Sequence, residues 1–211
     1  MTLTTLVLNL KKPEITDHIH QTVIDLHDNF QKLDDAAEVY IDATPTSGSW
    51  TKNKKLYYTQ PQNGGYVGII NLREGKAAPR WGSITPYAIG DEVIPAEDNG
   101  HYYSCIQSGY SSPFEPVWST SDSSVTEDTF NKEVWQPSKS YSLHDIVLSS
   151  ITNDRFYVCI TPGTSGVNEP QWATSNGVST TDNEVVWMTY RIVKWQEVGS
   201  AAHFRPFGKI E

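Results

Sequence analysis

The stretch WGSITPYAIGDEV at 81–93 returns as WQPSKSYSLHDIV at 135–147, and the agreement continues well past both. An offset of 54 residues aligns 81–118 with 135–172 without a gap, and 13 of the 38 aligned positions are identical. A register kept over that distance specifies one supersecondary unit made twice. Two copies are too few for a solenoid, so each is expected to be a small domain leaning on its neighbour.

Residues kept in both copies are the best candidates for the interior. They include Trp81 and Trp135, Tyr103 and Tyr157, Cys105 and Cys159, and Trp118 and Trp172. Tyr103 and Cys105, like Tyr157 and Cys159, stand two apart and so share one face of a strand. Beyond the aligned stretch, EVW at 133–135 corresponds to VVW at 185–187, which adds Trp187 to the core set. On this reading Trp135 closes the first copy and opens the second, as a shared wall. The copies then span 81–134 and 135–190, with a C-terminal tail at 191–211.

The remaining composition agrees with a mostly β protein. Seven Trp, 11 Tyr, 14 Gly and 12 Pro in 211 residues suit short strands joined by turns. In 42–80 the segment NKKLYYTQPQNGGYVGIINL reads as a β-hairpin turning at Gln62-Asn63-Gly64-Gly65.

The segment 1–41 differs. From Thr16 onward Ile19, Val23, Leu26, Phe30, Leu33, Ala37 and Tyr40 recur in alternating steps of four and three, the heptad spacing of a helix. Thr16 or Asp17 is placed to cap it. Two readings follow: an amphipathic helix packed on its own domain, or a coiled coil joining several chains in parallel, with a trimer favoured. The expected fold is therefore an N-terminal helix followed by small tandem antiparallel β modules.

Charge and motif content narrow the function. A formal net charge of -9 opposes binding to nucleic acid or to an anionic membrane. In MTLTTLVLNLKKP the positive charges follow a short apolar run, the wrong order for a secretory signal, so synthesis and folding in a cytoplasm are expected. Cys105 and Cys159 fall at equivalent places in separate copies, which predicts free buried thiols rather than a disulfide. None of the six His forms a ligand cluster with a Cys, and no metal or other cofactor is expected. There is no nucleophile elbow, phosphate loop or zinc-protease helix. Glu115 and Glu169 recur before Pro-Trp, one per copy, which assigns them a local structural role. The expectation is that the protein is not an enzyme.

Aromatics present in only one copy are free to face outward. Tyr110 aligns with Thr164 and Phe114 with Asn168, and both lie in the SGYSSPFEP loop. They are the candidate contacts for a saccharide or a neighbouring subunit.

The order Trp, Tyr, Gly-Asp-x-Val, then a Gly-x-Tyr turn, in WGSITPYAIGDEV and NGHYYSC, resembles the small carbohydrate-binding module of chitinases. GTSGVNEPQW with the closing VVW resembles copies in tail fibres and other virion proteins of tailed bacteriophages. NLKKPEITDHIHQTVIDLHDNFQKLDDA is similar to N-terminal segments of phage tail proteins from Gram-positive hosts, and PTSGSW with NGGYVGIINL to a hairpin in the same proteins. The resemblance implies a virion component of the tail, fibre or baseplate, with other virion proteins as partners. A host-surface polysaccharide adhesin is the alternative it implies. In the chitin-binding modules that this resembles, exposed sugar-stacking Trp residues follow the Gly-x-Tyr strand, whereas here that strand runs into Cys105-Ile106 and Cys159-Ile160, so the scaffold can be inherited without the glycan site.

Overall fold

The computed structural model describes residues 4–129 and 133–211. The chain is mostly β, with one helix at its N-terminal end followed by several small antiparallel sheets. It divides into two compact units, one of Met1–Ala43, Lys55–Ile69 and Pro206–Glu211, the other of Thr44–Lys54 and Ile70–Arg205.

In the first unit the helix runs Ile19–Ala36, close to the span that the heptad spacing predicts. Ala37 lies one residue past it as the C-cap and donates its N–H to Asp34 O, so it leaves the apolar series. The N-cap is His18 rather than Thr16 or Asp17. Asp17 is engaged elsewhere: its Oδ2 accepts the Glu14 N–H at 2.7 Å and closes a turn before the helix. The preceding arm folds back through an antiparallel bridge between Thr4 and Lys11. Asn29 clamps that arm by accepting from Lys11 N and donating to Lys11 O, both at 2.8 Å. In the same unit Val39–Ile41 pairs in parallel with Lys55–Tyr58, and the strand Tyr66–Asn71, of which 66–69 belong to this unit, follows as that strand's neighbour. Gly64, at φ 77°, lies in the turn between them, where the hairpin was expected.

The second unit contains both repeats. In the second repeat a sheet runs in the order Ile146–Val147, Arg155–Thr161, Val185–Arg191, Ser179–Asp182. In the first, the equivalent order is Glu92–Val93, His101–Gln107, Lys194–Ser200, Val125–Glu127. The third strand of the first repeat thus comes from beyond the end of the second repeat. Cys105 sits opposite Trp195 in the ladder as Cys159 sits opposite Trp187.

Two expectations are corrected by this pairing. Trp135 is no shared wall, because it is buried wholly within the second repeat's core with Tyr141, Val147, Tyr157, Cys159, Val185 and Trp187. The segment 191–211 is no tail, because VKW at 193–195 provides the closing Val and Trp of the first repeat, whose core joins Val93, Tyr103, Cys105, Val193 and Trp195. The repeats are nested: the second is inserted between the next-to-last strand of the first, Val125–Glu127, and its closing strand, Lys194–Ser200. The two ends of the insertion meet, since Asp128 N donates to Val193 O at 3.0 Å.

Candidate functional site

Each repeat is organised around a buried carboxylate. Asp128 Oδ2 accepts the indole N–H of Trp81 at 2.7 Å and of Trp195 at 3.0 Å, and Asp182 Oδ2 accepts those of Trp135 at 2.7 Å and Trp187 at 3.1 Å. Their Oδ1 atoms take backbone N–H groups of Ser112 and Gly166. Around them the rings repeat the same geometry, with Tyr87 edge-on to Trp195 at 4.7 Å and Tyr141 edge-on to Trp187 at 4.8 Å. Burial raises the Asp128 carboxyl above its ordinary range against the pull of these hydrogen bonds. Such a carboxylate has its acceptor capacity spent on indoles and amides, which suits a structural bolt between core Trp residues.

Glu115 and Glu169 do the corresponding work at the periphery. Each accepts the indole N–H of the Trp three residues on, Trp118 at 2.8 Å and Trp172 at 2.7 Å, and a backbone N–H from Ala96 or Ser150. Burial would raise the Glu169 carboxyl, but the Ser150 and Trp172 hydrogen bonds outweigh it and hold it below the usual value.

The cysteines are free and buried. Burial pushes the Cys105 thiol up to about 11 and raises that of Cys159, while each Sγ–H donates to a carbonyl, of Gln107 or Thr161, at 3.2 Å. Thiols so placed are poor nucleophiles. Among the described residues no group of three or more His, Cys, Asp and Glu is arranged to hold a metal ion.

The structure does not bring Tyr110 and Phe114 together as an outward-facing pair. Tyr110 packs against Tyr190 with ring centroids 4.9 Å apart, in an apolar layer with Ile146, Phe156, Val158 and Ile192 that joins the two repeats. Phe114 is half exposed. The signal missed in the sequence is that an aromatic unique to the first copy is matched by Tyr190, which belongs to the second.

The helix presents the clearest anomaly. Ile19, Val23, Leu26, Phe30 and Leu33 are exposed, Ile19 at 84% and Phe30 at 66%, whereas the helix's buried residues are Asp25 and Asn29. Lys11 Nζ reaches Asp25 at 2.5 Å, Gln21 donates to the same oxygen, and Lys32 Nζ donates to Asn9 O. The N-terminal arm therefore covers the polar side of the helix and leaves its apolar stripe open. A solitary surface helix does the reverse. The reading of a helix packed on its own domain by that stripe does not hold.

No family model matches the chain, and no curated protein or solved structure is significantly similar to it.

Proposed function

We propose that the chain is a structural, non-catalytic component of a phage virion, held in several copies through its N-terminal helix, with the nested β modules forming the outer part. The observation that carries this reading is the exposed heptad stripe of Ile19, Val23, Leu26, Phe30 and Leu33. Over its 18 residues the helix is about 27 Å long, room for two heptads and part of a third. Covering a half-exposed Leu, Ile, Val or Phe is worth roughly 1 kcal/mol, so five contribute about 5 kcal/mol per chain. Association costs on the order of 4–15 kcal/mol, which places self-assembly in a concentration-dependent range. The three-part resemblance to phage tail proteins supplies the virion context, and the trimer is the state proposed.

Sedimentation of the full chain across a range of concentrations tests the assembly. Mass rising toward three chains is the expected result, and a monomer at every concentration overturns it. Mass spectrometry of purified virus particles tests the location.

A second reading, a host-surface polysaccharide adhesin, is favoured by Phe114, which leaves half its surface exposed on the first repeat. Six modules in a trimer would gain avidity from weak individual sites. Co-sedimentation with bacterial cell walls tests it, with saturable retention expected and reduced in Phe114→Ala.

A further inference from the structure

The repeats differ in charged residues along one edge of the first. Arg80, Glu97 and Asp98 stand where the second repeat has Val134, Ile151 and Thr152. In the first repeat this edge meets the segments 44–46 and 202–205 around a cleft of about 530 Å³, within the size range of small-ligand sites.

Two guanidiniums line that cleft, and both are held. Arg80 donates through Nη1 to the carbonyls of Pro95 and Ala96. Arg205 donates through Nε to His203 Nε2 at 3.0 Å. That bond makes His203 Nε2 an acceptor and puts the ring proton on Nδ1, which faces Asp98 Oδ2 at 2.6 Å. Asp98 is in turn fixed and neutralised by Arg73, whose Nη2 lies 2.6 Å from Oδ1 and whose Nε donates to Ala201 O. The chain Arg73, Asp98, His203, Arg205 thus anchors by Nε a guanidinium whose residue lines the cleft.

Neither Arg80 nor Arg205 has a carboxylate within ion-pair distance among the described residues. Two pinned cations outside ion-pair distance of a carboxylate, sharing a cleft in which Asp98 is already held by Arg73 and Glu97 stays exposed, are an arrangement that can receive an anion in a forked contact. Phe204 adds an apolar ring to the lining, steadied by Trp50 in a T-shaped contact at 5.8 Å, and the exposed Glu97 adds an acceptor for hydroxyl groups.

We propose that this cleft binds an acidic saccharide, a sugar unit carrying a carboxylate or a phosphate, with the anion on Arg80 and Arg205 and the sugar ring against Phe204. The site belongs to a single chain, so it stands or falls separately from self-association through the helix.

The test titrates the full chain with galacturonic acid, glucose 1-phosphate, glucose and inorganic phosphate, by calorimetry or heteronuclear NMR. At least one of the two acidic sugars is expected to bind saturably, at least tenfold tighter than glucose, and which of them does so distinguishes carboxylate from phosphate. Arg80→Gln and Arg205→Gln should each weaken it at least tenfold while the near-ultraviolet signal of the Trp cores is unchanged. Glucose binding as tightly as the acidic sugars overturns the role of the guanidiniums. Inorganic phosphate equalling glucose 1-phosphate overturns the role of the sugar. Binding retained in both variants, or absent for every probe, overturns the site.

Discussion

Trp195 lies 67 residues beyond Asp128 in the chain and donates its indole N–H to that carboxylate at 3.0 Å. In the second repeat the same bond, from Trp187 to Asp182, spans five residues. One contact is local and the other closes a loop large enough to contain a domain, yet the two cores share their ring geometry.

Removing the bolt should be costly. Asp128→Ala leaves Trp81, Trp195 and the Ser112 N–H without their buried acceptor, and a loss of about 3 kcal/mol or more is expected in urea denaturation. Asp128→Asn keeps an acceptor oxygen and should lose less.

The nesting can be tested by excision. Replacing 130–192 with a short Gly-Ser linker between Thr129 and Val193 should leave the first repeat folded, because the ends already meet at Asp128 N and Val193 O. Some stability is lost as Ile84 and Tyr110 become uncovered. Truncation after Arg191, by contrast, removes Val193 and Trp195 and should abolish the near-ultraviolet signal of that core.

His144 occupies φ 71° where the first repeat has Gly90 at φ 92°. A side chain there carries left-handed strain that glycine avoids. His144→Gly is expected to stabilise the protein by roughly 0.5–1 kcal/mol, and Gly90→His to destabilise it by a similar amount, read from thermal or urea midpoints.

Glu197 is buried between His101, whose Nδ1 lies 2.8 Å from Oε1, and the Ser123 N–H at 3.1 Å from Oε2. Burial alone would raise its carboxyl, but these bonds and the Gly199 N–H outweigh it and depress it below 4.5. With the folded value lower than the unfolded one, the stabilisation is present above the unfolded value and is lost as pH falls through the folded one. Stability measured against pH should therefore decline below about 4.5, and Glu197→Gln should flatten that decline.

For the helix, Val23→Asp combined with Phe30→Asp should hold the chain monomeric in sedimentation at concentrations where the unaltered chain associates.

Much of this was legible in the sequence, and the failures share a cause. Identity at a fixed offset points to equivalent places in two separate cores: Tyr103 and Cys105 are buried in one, Trp135, Tyr157, Cys159 and Trp187 in the other, while Trp81, Trp118 and Trp172 are half-buried against them. It misassigned the closing Trp because EVW at 133–135 is the nearest match in sequence, whereas the strand ladder selects VKW at 193–195 by proximity in space. Tyr110 was misread for the same reason, since its neighbour Tyr190 is distant in the chain. The cleft at Arg80 and Arg205 was invisible to any pattern, as its walls come from four separated segments. The helix was read from local periodicity alone and lies close to where that periodicity places it.

The nested connection also fixes an order of completion during synthesis. The inserted repeat has all its strands once Arg191 has emerged, while the enclosing one still lacks Lys194–Ser200. At about 5–20 residues per second, the strand His101–Gln107 waits on the order of several seconds for the partner that pairs one of its backbone edges. Only the nine residues after Arg191, through Ser200, about 0.5–2 s of synthesis at that rate, separate completion of the inserted repeat from completion of the enclosing one, with Phe156 and Tyr190 then in place for Tyr110 to pack on. Chain order therefore makes the inserted repeat the first of the two cores to hold all its strands.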